Sequence, residues 1–348
     1  GSVVKCGRLA GSRGEVVAAK RQSEHAAMEV EVAELSAGAK RVTESQKFLR
    51  LSKEGPVNPD TADYAGAFAA VDVDNSWDRL TFQEGFSVSI TSMREDVVEF
   101  DMVGIDPPLA NAFRRILIGG VETVAISEVK VNQNTGVLHD ENLVHRLGLV
   151  PIVCEPKELE WRRTDGTFND KNSILFTLEV ACHDTRRRSV YSKDLVWKPM
   201  NEGQEAKFKD CPPRPVADDI LITQLGIGQE ISCECQCEKN IGREHAKWSP
   251  VATASYRLLP HIQLKKPIKD AVAEQLKRTC PVGVFDIEDL AGGGKQAVVA
   301  NPRRCTTCRE CLESFDADAH GLVLGKIKDH YLFTVESTGC LPAADLLV

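Results

Sequence analysis

No stretch of this chain approaches the roughly 18–20 consecutive apolar residues that a helical membrane span requires. The apolar core of a secretory signal is likewise missing from its opening residues. The 12 cysteines therefore do not read as an extracellular disulfide framework; clustered in a reducing compartment, they point to metal. Basic excess is lacking too: 51 Asp and Glu outweigh 43 Lys and Arg, for a formal net charge of -8. A dedicated nucleic-acid binder draws its affinity from neutralising phosphates, and this balance argues against one. There is no internal repeat. Gly226-Ile227-Gly228 and Gly292-Gly293-Gly294 lack the strand-to-helix setting of a phosphate loop. His145 and His245 have no nucleophile or carboxylate motif around them and read as packed or capping residues. The absence of any catalytic constellation in 348 residues points to a scaffold or a binding subunit.

What is present is ordinary for a globular chain: 27% charged and 42% hydrophobic residues, enough for two or three domains with cores of their own. The most informative stretch is 97–120. Val98, Phe100 and Met102 alternate as in a half-buried strand. Asp106 suits an N-cap, and Pro107 suits a first helical position, where no N–H is needed. Leu109, Ala112, Phe113, Ile116 and Leu117 then form one apolar stripe, flanked by Arg114 and Arg115 and ended by Gly119-Gly120. A three-turn apolar face of this kind suggests docking against a partner or a core.

Residues 1–76 read as a poorly ordered or only partly helical N-terminal extension, with Gly55-Pro56-Val57-Asn58-Pro59 breaking whatever precedes it. The first methionine is Met28, so residues 1–27 are expected to lie upstream of the true start. A transit peptide competes with that reading, because Lys5, Arg8 and Arg13 precede the first acid, Glu15. Beyond Trp77, strands are predicted near 86–90 and 97–103 as a hairpin, then 124–131, 174–182, 231–237 and 331–336. Helices are predicted over 140–149 and 268–278, and Pro342 opens another at the chain end. Cys211-Pro212-Pro213-Arg214-Pro215 is a surface connection, and Arg186-Arg187-Arg188 a solvated loop.

Cys305, Cys308 and Cys311 form a C-x₂-C-x₂-C run, preceded by Cys280-Pro281. In bacterial-type ferredoxins such a run supplies three thiolates, and a remote Cys-Pro supplies the fourth. Ligands for a second cluster are missing, since Asp270, Ala273, Leu276 and Phe315 occupy the places they would take. One [4Fe–4S] cluster is the leading reading; zinc, which four thiolates also suit, and a vestigial motif stay open. No flavin or nicotinamide site accompanies the motif, so a structural staple is favoured over electron transfer. Cys233, Cys235 and Cys237 alternate on one strand face and read as core.

The octet Ala110-Asn111-Ala112-Phe113-Arg114-Arg115-Ile116-Leu117 closely resembles the dimerisation helix of the α-like subunits of multisubunit RNA polymerases. His145-Arg146-Leu147-Gly148-Leu149-Val150-Pro151, the segment 245–260 beginning His245-Ala246-Lys247-Trp248-Ser249-Pro250, and His330-Tyr331-Leu332-Phe333-Thr334-Val335-Glu336 extend the resemblance over about 77–346. It is most similar to the subunit shared by eukaryotic polymerases I and III, in the form with a ferredoxin-like insertion found in its archaeal, plant and algal relatives. The implied fold is α+β: a discontinuous dimerisation domain, 77–129 plus 253–348, an inserted mixed α/β domain, 130–252, and a ferredoxin-like cysteine module, 279–315. The resemblance implies a non-catalytic nuclear assembly subunit for rRNA, 5S rRNA and tRNA transcription. Its implied partners are a small α-like subunit, the second-largest subunit and two small zinc-binding subunits, with DNA met only through the complex. Leu109, Phe113, Ile116 and Leu117 would pack on the partner or the local core, and Arg114 and Arg115 on the second-largest subunit or the interface. The family continues into a long helix where this chain has Leu346-Leu347-Val348, so a fragment is expected. The rival reading, from another class, is a single-cluster ferredoxin-like redox protein.

Overall fold

The structure is a computed structural model that describes residues 37–59, 64–162, 166–183, 187–290, 293–315 and 317–347. The expectations about residues 1–36, Arg186 and Gly292 lie outside the described residues. In chain order the main elements are helix α1 (Ala37–Lys47) and strand β1 (Phe48–Leu51), then β2 (Ser87–Met93), β3 (Val97–Val103) and α2 (Pro107–Gly119). Next come β4 (Glu122–Asn134), α3 (Asp140–Gly148), β5 (Ser173–Ala181), β6 (Leu195–Lys198), β7 (Glu230–Ile241) and β8 (Val251–Leu264). Last are α4 (Asp270–Thr279), β9 (Phe285–Asp289), β10 (Lys295–Val299) and β11 (Leu322–Ser337). The elements fall into two compact units. One takes in the described residues up to Gln83 with Leu259–Lys328; the other takes in Glu84–Leu258 and the chain from Asp329 on.

In the first unit, β9 and β10 form an antiparallel hairpin, with Phe285 opposite Val299. Helix α4 lies against it, and the backbone N–H of Ala297 donates to the Ile268 carbonyl at 2.9 Å. Ala273, Leu276, Val284, Phe285, Leu312 and Phe315 make the core. The extension, expected to be poorly ordered or only partly helical, has regular structure over part of its length. Residues 37–47 are helical, and β1 pairs antiparallel with the first part of β11, Leu51 opposite Leu324. The cause is tertiary: Leu51 packs against the same core, a contact that local composition cannot reveal.

In the second unit, β4, β7, β5 and β6 lie side by side in that order. Alternation puts Cys233, Cys235 and Cys237 of β7 in the core with Ile174, Phe176 and Leu178 of β5, and Leu143 and Leu147 of α3 join them. The three thiols are therefore packing groups, as their spacing suggested. Farther along the chain, β3 pairs with β2 on one side and with the last part of β11 on the other. Phe100 stands opposite both Phe333 and Ile90. A chain-end helix from Pro342 is not formed as predicted; the described residues there make one short 3-10 turn, Asp345–Leu347, with Leu346 buried.

The turn between β3 and α2 depends on Gly104, whose φ is +81°. A Cβ there would collide with the Gly85 carbonyl. Gly104→Ala therefore combines a left-handed backbone with a clash and is expected to cost at least about 1–3 kcal/mol, read as a lower midpoint in urea unfolding.

A candidate docking face and a four-cysteine site

Helix α2 starts where it was predicted, but not quite for the reason given. Asp106 has the extended backbone of an N-cap residue, yet its side chain makes no capping hydrogen bond. Its carbonyl accepts the N–H groups of Leu109 and Ala110 at 3.1 and 3.2 Å, and Pro107-Pro108 supplies the pre-set first turn. At the far end the Gly120 N–H donates to the Ile116 carbonyl at 2.7 Å.

The apolar stripe of α2 is divided between two jobs. Ala110 and Leu117 are fully buried in the chain's own core. Phe113 stands edge-on to Phe100 and Phe333, with ring centroids 6.1 and 5.6 Å apart, while those two rings stack at 5.1 Å. Leu109 and Ile116 remain 52% and 56% exposed. Of the two places expected for Leu117, a partner or the local core, it takes the local core, on the side of the helix turned to its own sheet. Arg114 is held by the Asn111 side-chain oxygen at 3.0 and 3.2 Å, and Arg115 is exposed.

The sheet beneath the helix extends the face. Register puts Val88, Ile90 and Met93 of edge strand β2 opposite Met102, Phe100 and Val98, on the same surface as the aromatic pair that Phe113 covers. All three are between 50% and 54% exposed. The helix shields the two central strands and leaves the edge strand bare. Sequence reasoning missed these β2 residues. The alternation over 86–90 announced a strand, but nothing local says which strand lies at an edge.

Cys280, Cys305, Cys308 and Cys311 line one small pocket together with Ile262, Val284, Phe285 and Leu324. The run 305–311 turns back on itself through Thr307 and Arg309, whose φ values of 56° and 69° are left-handed. Backbone N–H groups of Val284 and Thr307 donate to the sulfurs of Cys280 and Cys305, each at 3.4 Å. Burial, reinforced by the neighbouring thiols of Cys305, Cys308 and Cys280, pushes the Cys311 thiol up to about 12. The sequence-predicted set is thus gathered in one place, with apolar walls and N–H donors suited to thiolate sulfur. Among the described residues, however, no three Cys, His, Asp or Glu side chains are grouped so that they could hold a metal ion. One zinc ion would need sulfurs about 2.3 Å from a common centre, and the thiols as placed do not provide that.

The sequence profile described as the RNA polymerase Rpb3/RpoA insert domain matches residues 129–257. The chain is 42% identical over 331 residues to the mouse protein named DNA-directed RNA polymerases I and III subunit RPAC1, covering 90% of this chain and 93% of the mouse one. It is 40% identical over 306 residues to the rpac1 subunit of Dictyostelium discoideum, covering 86% and 87%. To the Arabidopsis thaliana subunit 3 of polymerases II, IV and V it is 31% identical, covering 78% and 88%.

Proposed function

The chain belongs to the family of the RPAC1 subunit of DNA-directed RNA polymerases I and III, and we propose that it works as a non-catalytic assembly subunit of those enzymes. The observation that carries this reading is the bare part of one sheet face. Val88, Ile90 and Met93 stand half exposed beside a helix whose Leu109 and Ile116 are also uncovered. Covering each such side chain is worth roughly 1 kcal/mol, so the five together reward a partner that lays its own helix and strand there. That partner is a small α-like subunit. The heterodimer then receives the second-largest subunit, beside Arg114 and Arg115, and the two small zinc-binding subunits. DNA is met only through the assembled enzyme, in the nucleus. Nothing among the relatives favours the redox alternative, since they are named as polymerase subunits.

Cys280, Cys305, Cys308 and Cys311 are the residues that would hold a [4Fe–4S] cluster in this reading, with zinc the alternative. When bound, the group supplies a covalent staple across a small module. The chain's own part is to present four thiols from two separated segments and to direct the N–H groups of Val284 and Thr307 at two of the sulfurs. Co-expression with a small α-like subunit, followed by mass measurement and iron analysis, tests both halves. A one-to-one complex containing iron is expected; a chain that stays alone refutes the assembly role, and an iron-free complex refutes the cluster.

A further inference from the structure

Two of the stretches that carry the family resemblance, 145–151 and the start of 245–260, also form a site apart from the docking face and the cysteine site. In the second unit they meet. A pocket of about 120 Å³ is lined by Ile126, Val144, His145, Leu149, His245 and Lys247. The Lys247 ammonium donates to the Ile126 carbonyl at 2.8 Å and lies 4.2 Å from the centre of the Trp248 ring. No carboxylate among the described residues stands within ion-pairing distance of it. Glu238, which could have served, is engaged by the Arg162 guanidinium at 2.5 Å and the Ser127 hydroxyl at 2.6 Å. A cation drawn out of water without a counter-charge is costly, and burial accordingly holds Lys247 below the usual lysine range. His245 accepts the Lys247 backbone N–H on Nδ1 at 3.1 Å, which assigns the proton of its neutral ring to Nε2 and leaves that donor over. His145 is exposed and brings a second imidazole, while half-exposed Leu149 adds an apolar rim. Nitrogen donors thus converge where, among the described residues, Glu238 acts on Lys247 only from beyond ion-pairing distance, in a molecule of net charge -8.

We propose that this pocket docks an acidic side chain of a partner polypeptide, its carboxylate meeting Lys247, His145 and His245 and a neighbouring aliphatic group resting on Leu149. Charge complementarity selects a carboxylate over an amide of the same shape, because only the former supplies the missing counter-charge. The site is separate from the docking face and does not depend on the cysteine pocket being filled.

The test follows the imidazole resonances of the full chain, labelled with 15N-histidine, during titration with N-acetyl-Leu-Glu-amide and with N-acetyl-Leu-Gln-amide. The glutamate peptide is expected to shift His145 and His245 saturably, with the glutamine peptide at least tenfold weaker. Lys247→Met should erase that preference, and Lys247→Arg should keep it. Equal binding of the two peptides by the unaltered chain, or no saturable shift, overturns the proposal. So does a Lys247→Met protein that still prefers glutamate.

Discussion

Replacing Leu109 and Ile116 together by aspartate should leave the isolated chain folded and weaken its pairing with a small α-like subunit by at least 100-fold. Both side chains are more than half exposed in the free chain, so two carboxylates there remain in water and cost the fold little. On the proposed reading the complex covers the same positions, and burying an ion without a partner there costs several kcal/mol. Two of them exceed the roughly 2.7 kcal/mol that corresponds to 100-fold. Titration calorimetry reads the affinity, and circular dichroism confirms the fold. Leu117→Ala supplies the contrast. That side chain is fully buried, so its loss should destabilise the chain itself by about 2–5 kcal/mol and affect pairing only as far as the helix shifts. If the aspartate pair unfolds the protein while Leu117→Ala is silent, the division of labour along α2 is reversed.

The second large effect concerns the thiols. Cys305→Ser with Cys308→Ser is expected to remove most of the bound iron from protein prepared without oxygen, and to lower the melting temperature of the loaded chain by roughly 10 °C. A ligand bound at 1,000 times its dissociation constant stabilises the fold by about 4 kcal/mol, and each kcal/mol moves the midpoint of a domain this size by several degrees. The fall should be visible as lost absorbance near the sulfur-to-iron bands and as a lower yield of the heterodimer. Cys211→Ser is the control, because that thiol is exposed and lies outside the pocket. Equal iron in both proteins would remove the cluster from the account and leave the docking face untouched.

Which parts were legible in the sequence follows from the range of the forces involved. Strand β3 and helix α2 were written locally, in an alternation of period two followed by Pro107-Pro108 and a stripe of period 3.6. The cysteine spacing was equally local, and the four thiols from 280–311 line one pocket. Three features were hidden. Strand β1 looked like part of a loose extension because its support comes from β11, almost the length of the chain away. Leu117 and Ile116 are neighbours in one stripe, and only the position of the sheet decides that one is core and the other surface. His145 and Lys247 are unremarkable by themselves; their shared pocket exists because α3 and the turn after β7 approach the same stretch of β4.

The central claim is that the uncovered part of the sheet face and the outer flank of α2 are meant for another polypeptide. Hydroxyl-radical footprinting of the chain, alone and in complex with a small α-like subunit, addresses it side chain by side chain. Labelling of Val88, Ile90, Met93, Leu109 and Ile116 should fall sharply on complex formation while exposed Val137 keeps its reactivity. A complex that forms with those five side chains as reactive as before would contradict the account.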